Sequence, residues 1–302
     1  MTPGAAAAGR WPPDVFPEDS PMRAAIATVC SLEADLETIV ADYAAGHCDA
    51  VDLWLGQAER YLEQRPPAAL ADLLAAHGVT AVAASFQGGL LVSQGEARRE
   101  HWRHFEARLG LLRELSIPVM VVAGDAFGPL GAQDLARLST SLEEAAARAA
   151  DAGVRLALEF DARASFPNNL QSAVAVVADV GRPSLGVCLD WFHYTVGPSK
   201  PLDLGLLTRE TLAHVQLSDT ADVLREMAGD ADRILPGEGG SPPDDLMRLL
   251  TAIDYRGAVA VELHNPQLWR VPPRQFGEIA LTALRRVLGQ AGMGAGAGQA
   301  GM

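Results

Sequence analysis

Short, almost wholly apolar runs alternate along this chain with longer stretches whose apolar positions recur every three or four residues. The short runs are Ala25–Cys30, Ala50–Leu55, Val79–Ser85, Pro118–Ala123, Val154–Phe160, Leu185–Asp190, Leu212–Leu217 and Ala258–Leu263. Runs this short and this apolar predict parallel strands buried on both faces. Among the longer stretches, Ala34–His47 places Leu36, Ile39, Val40 and Tyr43 on one helical face. Pro67–His77 begins after a Pro-Pro pair and stops at Gly78, the expected start and stop signals of a helix. Glu96–Leu115, Ala132–Ala152, Asn168–Val180, Leu202–Arg209, Pro243–Ile253 and Arg274–Leu288 complete the predicted helices.

Alternating strands and helices with no break in composition predict an α/β fold, a single (β/α)8 TIM barrel, over residues 23–288. An open doubly wound sheet would carry a GxGxxG turn after its first strand, and none follows Ala25–Cys30. Residues 1–22 read as a flexible leader, and residues 289–302 (GQAGMGAGAGQAGM) as a disordered Gly/Ala-rich tail.

Composition narrows the function. A net charge of −14 argues against a nucleic-acid surface or an anionic membrane as partner. No stretch approaches the roughly 20 apolar residues of a membrane span, and the N-terminus lacks the apolar core of a signal peptide. Cys30, Cys48 and Cys188 have no metal-site spacing and read as structural thiols in a reducing, cytoplasmic setting. Lys200 is the one lysine among 24 basic residues. A lysine kept in so Arg-biased a chain reads as chosen for its compact, tunable ammonium; the plainer reading is a surface lysine on a Gly-Pro turn.

In a TIM barrel the strands' C-terminal ends converge on one mouth. The fifth predicted strand ends at Glu159, the sixth at Asp190 followed by Trp191-Phe192-His193, the seventh in His214-Val-Gln216, and the eighth at Glu262. A carboxylate beside a buried apolar run is costly unless paired, and several aimed at one point make a site for a hard cation. Any one of these acids alone is more often a helix cap, or a partner for an arginine, than a ligand; their conjunction on four consecutive strands points to the site. Gln216 and His214 lie two apart and point to the same side of the sheet, so spacing does not choose between them as a ligand. Trp54 and Phe86 end earlier strands and are candidates to stack on a substrate, although aromatics at such positions more often belong to the core.

Glu159, Asp190-x-x-His193, His214-Val-Gln216-Leu-Ser-Asp219, Arg233-Ile-Leu-Pro-Gly-Glu-Gly239 and Val-Glu262-Leu together resemble the xylose isomerase-like barrel superfamily. That superfamily includes endonuclease IV, ketose 3-epimerases, inosose dehydratase and 3-dehydroshikimate dehydratase. The resemblance runs from about Ala24 to Leu288, with its specific motifs in the second half. It implies metal ligation by Glu159, Asp190, Gln216 and Glu262; Gln216 falls three residues before Asp219, where the family usually has His. A Gln there resembles the 3-dehydroshikimate dehydratase branch. The acidic chain and the missing extra ligands set it apart from endonuclease IV.

The resemblance also implies that Glu159 and Glu262 move protons as well as bind metal. His193, Lys200, Arg233, Trp54, Phe86 and His214 are expected around the substrate, with His193 and Lys200 also candidates for catalysis. Arg233 suits bidentate capture of a carboxylate or vicinal hydroxyls; a salt bridge to Asp230 or Asp232 is the plainer alternative. The expected cofactor is a divalent metal, Mn2+ first and Mg2+ or Co2+ in its place. The expected partners are a small polar substrate and a second copy in a homodimer. The function implied is a metal-dependent isomerase or epimerase of a sugar, cyclitol or related keto-polyol, working through an enediolate. A dehydratase or lyase is the alternative, and a non-catalytic ligand-binding barrel the third reading.

Overall fold

The computed structural model describes residues 22–289. The predicted leader, but for Met22, and the predicted tail, but for Gly289, lie outside the described residues. Seven strands come first: β1 (Arg23–Ala27), β2 (Ala50–Trp54), β3 (Thr80–Gln87), β4 (Val119–Gly124), β5 (Arg155–Phe160), β6 (Leu185–Asp190) and β7 (Leu212–Leu217). Two short strands, β8 (Asp219–Thr220) and β9 (Arg233–Ile234), pair with each other in an antiparallel ribbon, and β10 (Ala258–Val261) follows. Apart from that ribbon the strands are parallel and close into one barrel, with β10 between β7 and β1.

Side chains alternate along a strand, and the barrel uses that alternation to separate two cores. Ala25, Ala50, Val82, Ala258 and Ala260 form one buried cluster, and Val121, Ala157 and Cys188 another. These small side chains fit the narrow lumen of an eight-stranded barrel. Larger residues on the opposite faces, such as Ile26, Leu53, Leu156 and Leu189, pack against the surrounding helices in one continuous core.

Those helices are α1 (Leu36–Ala45), α2 (Leu55–Leu62), α3 (Pro67–Ala76), α4 (Gly95–Glu114), α5 (Ala132–Asp151), α6 (Leu170–Val180), α7 (Trp191–Val196), α8 (Asp244–Ala252) and α9 (Pro273–Val287). Their ends follow local chemistry. Asp35 caps α1 by accepting from Thr38 N at 2.8 Å, and Gly181 ends α6 at φ 63°, a conformation glycine adopts without cost.

Four readings of the pattern change. The first strand stops at Ala27, and Thr28–Ser31 turns away as a 3-10 helix whose Thr28 hydroxyl accepts from Trp54 N at 2.8 Å. The helix expected over Leu202–Arg209 is instead a 3-10 run, Pro201–Leu206. Helix α2 has no counterpart in the sequence reading. Neither does α7, where Asp190 Oδ1 accepts from Phe192 N at 2.7 Å and starts a helix directly off the strand. Among the described residues no helix is long and apolar enough to cross a membrane.

Candidate active site

Strands β5, β6, β7 and β10 bring Glu159, Asp190, Gln216 and Glu262 together at one end of the barrel. The register explains how: Asp190 is level with Gln216 and Gln216 with Ala260, while Glu262, past the last paired residue, still bonds Leu217 O through its backbone N–H at 3.2 Å. All four side chains are buried. The β8–β9 ribbon then delivers Arg233 into the same space, its guanidinium 2.7 Å from Asp190 Oδ2, 3.6 Å from Glu262 Oε2 and 3.3 Å from Asp230 Oδ1. It stacks over the Phe192 ring at 4.3 Å. Of the two roles open to Arg233 from sequence, the pair with Asp230 is real, but the buried contact with Asp190 is the closer one.

His193 completes the group from the first turn of α7. Its Nε2 stands 3.7 Å from Glu159 Oε1, 3.8 Å from Asp190 Oδ2 and 3.3 Å from Arg233 Nη2. Glu159, Asp190 and His193 offer donor atoms that all lie within 4.8 Å of one another.

The electrostatics are unbalanced. Burial pushes the Glu159 carboxyl well above its usual range, and the charges of Glu262 and Asp190 push it the same way. Burial also opposes charge on Asp190, but Arg233 and His193 outweigh it and hold Asp190 below its ordinary value. Burial lowers His193, so the imidazole is neutral near neutral pH. Three carboxylates therefore face one guanidinium. Asp190 Oδ2 is buried, with the Arg233 guanidinium 2.7 Å away. Three buried acids beside one guanidinium, one of them pushed toward its protonated form, are what a hard divalent cation would satisfy. The three carboxylates fit such an ion.

Gln216 is at the site, but its amide is turned the other way from an oxygen ligand. Nε2 donates to Glu262 Oε1 at 2.8 Å, while Oε1 accepts from Cys188 Sγ at 3.1 Å. The neighbours dictate this: Nε2 also faces Asp52 Oδ2 at 3.4 Å, so carboxylates flank the nitrogen and a thiol donor meets the oxygen.

Two residues expected around the substrate stand apart from the cluster. His214 lies two residues below Gln216, 1 % exposed, with Nε2 3.0 Å from Asp52 Oδ2. Its ring is consumed by that pair. Lys200 is exposed, and its ammonium meets none of the cluster's carboxylates among the described residues. The loop is drawn outward, because Ser199 Oγ accepts from Leu170 N at 3.1 Å and Lys200 O from the Tyr194 hydroxyl at 3.1 Å. Trp54 and Phe86 do form a stacked pair, ring centroids 5.7 Å apart, and His264 stands edge-on to Trp54 at 5.3 Å with its Nε2 3.7 Å from Glu262.

Asp52 and Ser85, missed in the sequence, and Asp219 and Gly239, quoted there without a role, hold the site in place. Asp52 and Ser85 join His214 and Gln216 beneath it. Asp219 accepts from the backbone N–H groups of Thr220, Gly239 and Ser241 at 2.8, 2.9 and 2.8 Å, tying the segment after the ribbon to the end of β7. Gly239 is required there, since a Cβ would stand 2.6 Å from Asp219 Oδ1. Across the mouth, Arg163 bridges to Asp230 at 3.0 Å and Asp161 at 3.3 Å. The detectable signal for Asp52 was a single acid inside an otherwise apolar strand, Ala-Val-Asp-Leu-Trp.

A closed parallel barrel with acids and an arginine gathered at its strand ends is a (β/α)8 barrel with a candidate metal site. The chain belongs to the xylose isomerase-like TIM-barrel family, whose profile matches residues 41–286. It is 32% identical to an inosose isomerase of Halalkalibacterium halodurans over 120 residues, 39% of this chain and 43% of that protein. It is 27% identical to a 3-dehydroshikimate dehydratase of Pseudomonas aeruginosa over 175 residues, 56% of this chain and 27% of that protein. The matched segments thus span less than half of these relatives' own lengths. A solved structure of the IOLI protein with a bound zinc atom superposes with a TM-score of 0.83 at 20% identity, covering 89% of this chain and 99% of that one. At that identity it shares the fold.

Proposed function

We propose that the protein is a divalent-metal-dependent isomerase or epimerase of a keto-polyol such as a cyclitol ketone or ketose. The observation that carries this reading is the convergence of Glu159, Asp190 and Glu262 on the buried Arg233 and neutral His193. The inosose isomerase similarity supports the substrate class, and the zinc atom bound in the IOLI structure supports a divalent metal. The three carboxylates would hold the cation, with Mn2+ the first candidate. His193 Nε2 or, after a half-turn of its amide, the Gln216 oxygen would join them. Nitrogen modulation in the electron spin echo of the Mn2+-loaded protein separates these two.

The cation supplies Lewis acidity toward a carbonyl and its neighbouring hydroxyl. The chain's own groups do the rest. Glu159, whose burial favours its protonated form, and Glu262 stand on opposite strands of the cluster as the pair that removes and returns a proton next to the carbonyl. Arg233, charged and fixed by Asp190 and Asp230, offers N–H groups to an oxygen that gains negative charge. Phe192 and the Trp54–Phe86 pair wall the mouth apolarly, which strengthens these interactions.

Dehydration begins with the same proton removal, and the 3-dehydroshikimate dehydratase similarity together with Gln216 favours it as the second reading. The deciding measurement incubates the Mn2+-loaded full chain in D2O with inosose, a ketohexose and 3-dehydroshikimate. Deuterium uptake beside the carbonyl without loss of water supports the isomerase. Water loss with a new ultraviolet absorbance replaces it by the dehydratase. A purified protein that binds no divalent metal, and whose turnover ignores chelator, would sink both.

A further inference from the structure

Beneath the cluster lies a polar layer that touches neither mouth nor solvent. Asp52, in the middle of β2, is 0% exposed. Both its oxygens accept from Ser85 Oγ, at 2.8 and 2.9 Å, and Oδ2 also meets His214 Nε2 at 3.0 Å and Gln216 Nε2 at 3.4 Å. A buried carboxylate with its partners is rarely cheaper than apolar residues of the same size, and the neighbouring lumen is built from alanines. The layer's placement gives it a use. Gln216 stands between it and Glu262: one amide end bonds Glu262 Oε1 at 2.8 Å and leans on Asp52 and Ser85 Oγ (3.3 Å), the other takes the Cys188 thiol at 3.1 Å. Acceptors on the nitrogen side and a thiol donor on the oxygen side together orient the amide in this structure. Glu262 is thereby held by Oε1, leaving Oε2 turned toward Arg233 at 3.6 Å.

We propose that Asp52, braced by Ser85 and His214, is a positioning residue that fixes the Gln216 amide and through it sets Glu262 for cation binding. This rests on the metal reading above. Asp52 itself touches no substrate and no cluster carboxylate; it acts through one amide. Groups that orient a ligand in this way typically change metal affinity by about 10–100-fold when removed.

The test is Mn2+ titration calorimetry on the metal-stripped full chain. Asp52→Ala should bind Mn2+ about 10–100-fold more weakly than the unmodified chain. Asp52→Asn, which keeps an oxygen for His214, should recover part of that loss. In a Gln216→Met background the Asp52→Ala change should cost little further, because the amide it acts through is gone. Melting of the same metal-stripped samples reports on packing separately, and Asp52→Asn carries the test if Asp52→Ala does not fold. Affinities within twofold of the unmodified chain, or losses from Asp52 and Gln216 that simply add, would overturn the positioning role while leaving the metal site standing. An unmodified chain that binds no Mn2+ at this site overturns the metal reading itself, and this role with it.

Discussion

Asp219 and Glu159 are both buried acids at the same end of one barrel, yet their surroundings are opposite. Asp219 accepts three backbone N–H groups and touches no other acid. Glu159 has no such donors; its neighbours are Asp190, Glu262, an imidazole nitrogen at 3.7 Å and the charge of Arg233. The first acid is spent on structure, because its charge is answered within its own loop. The second is pushed toward its protonated form by burial and by its acidic neighbours, with Arg233 opposing them only in part. A carboxylate's burial alone therefore says little about its role. What distinguishes the two is whether the chain has already supplied the donors.

That contrast predicts opposite signs for two neutralisations. Asp219→Ala leaves three backbone N–H groups without their acceptor, one buried and two half-buried; at about 1–3 kcal/mol for a fully buried group, it should lower unfolding stability by about 2 kcal/mol or more in a denaturant titration. A loss below that would show that water replaces the carboxylate and that the loop is not anchored by it. Glu159→Gln should instead raise the stability of the metal-stripped protein, by about 1–2 kcal/mol, since relieving a buried charge conflict is neutral to stabilising. The same variant should lose the added stability that Mn2+ confers on the unmodified chain. Destabilisation of the stripped Glu159→Gln protein would place Glu159 with Asp219 and erase the distinction.

A surface acid sharpens the comparison at its weak end. The Thr38 backbone N–H holds Asp35 below its ordinary value of 3.8. Its capping contribution is present above that value and is lost as pH falls through the lowered one. Asp35→Ala should cost about 1 kcal/mol near neutral pH, and the difference from the unmodified chain should shrink as the solution is acidified. A gap unchanged by acid would show that the cap works without its charge.

The barrel was legible because buried parallel strands leave an unmistakable apolar signature, and Leu185–Asp190 and Leu212–Leu217 match their predicted bounds. Glu159, Asp190 and Glu262 were legible for the same reason, as acids closing such runs. Pairings across the lumen were not. Asp52 and His214 lie 162 residues apart, and no local pattern links them. His214 was therefore placed at the mouth when it lies below it. Lys200 was misplaced for another reason: a loop's position in the chain fixes where it starts, and Ser199 decides which way it turns. Gln216 reached its expected neighbourhood, but the end of the amide facing Glu262 depends on Asp52 and Cys188, neither of which its own strand announces.

Asp190 works at both of its oxygens: Oδ1 begins α7, and Oδ2 faces Arg233. Helix α7 in turn carries His193 and the ring on which Arg233 rests. Lengthening this one side chain would shift a helix, a base and a guanidinium together, so selection acting on substrate choice has almost no freedom at this position. The rings of Trp54 and Phe86, which stack on each other and anchor no helix or guanidinium, are where a descendant of this protein would acquire a new substrate first.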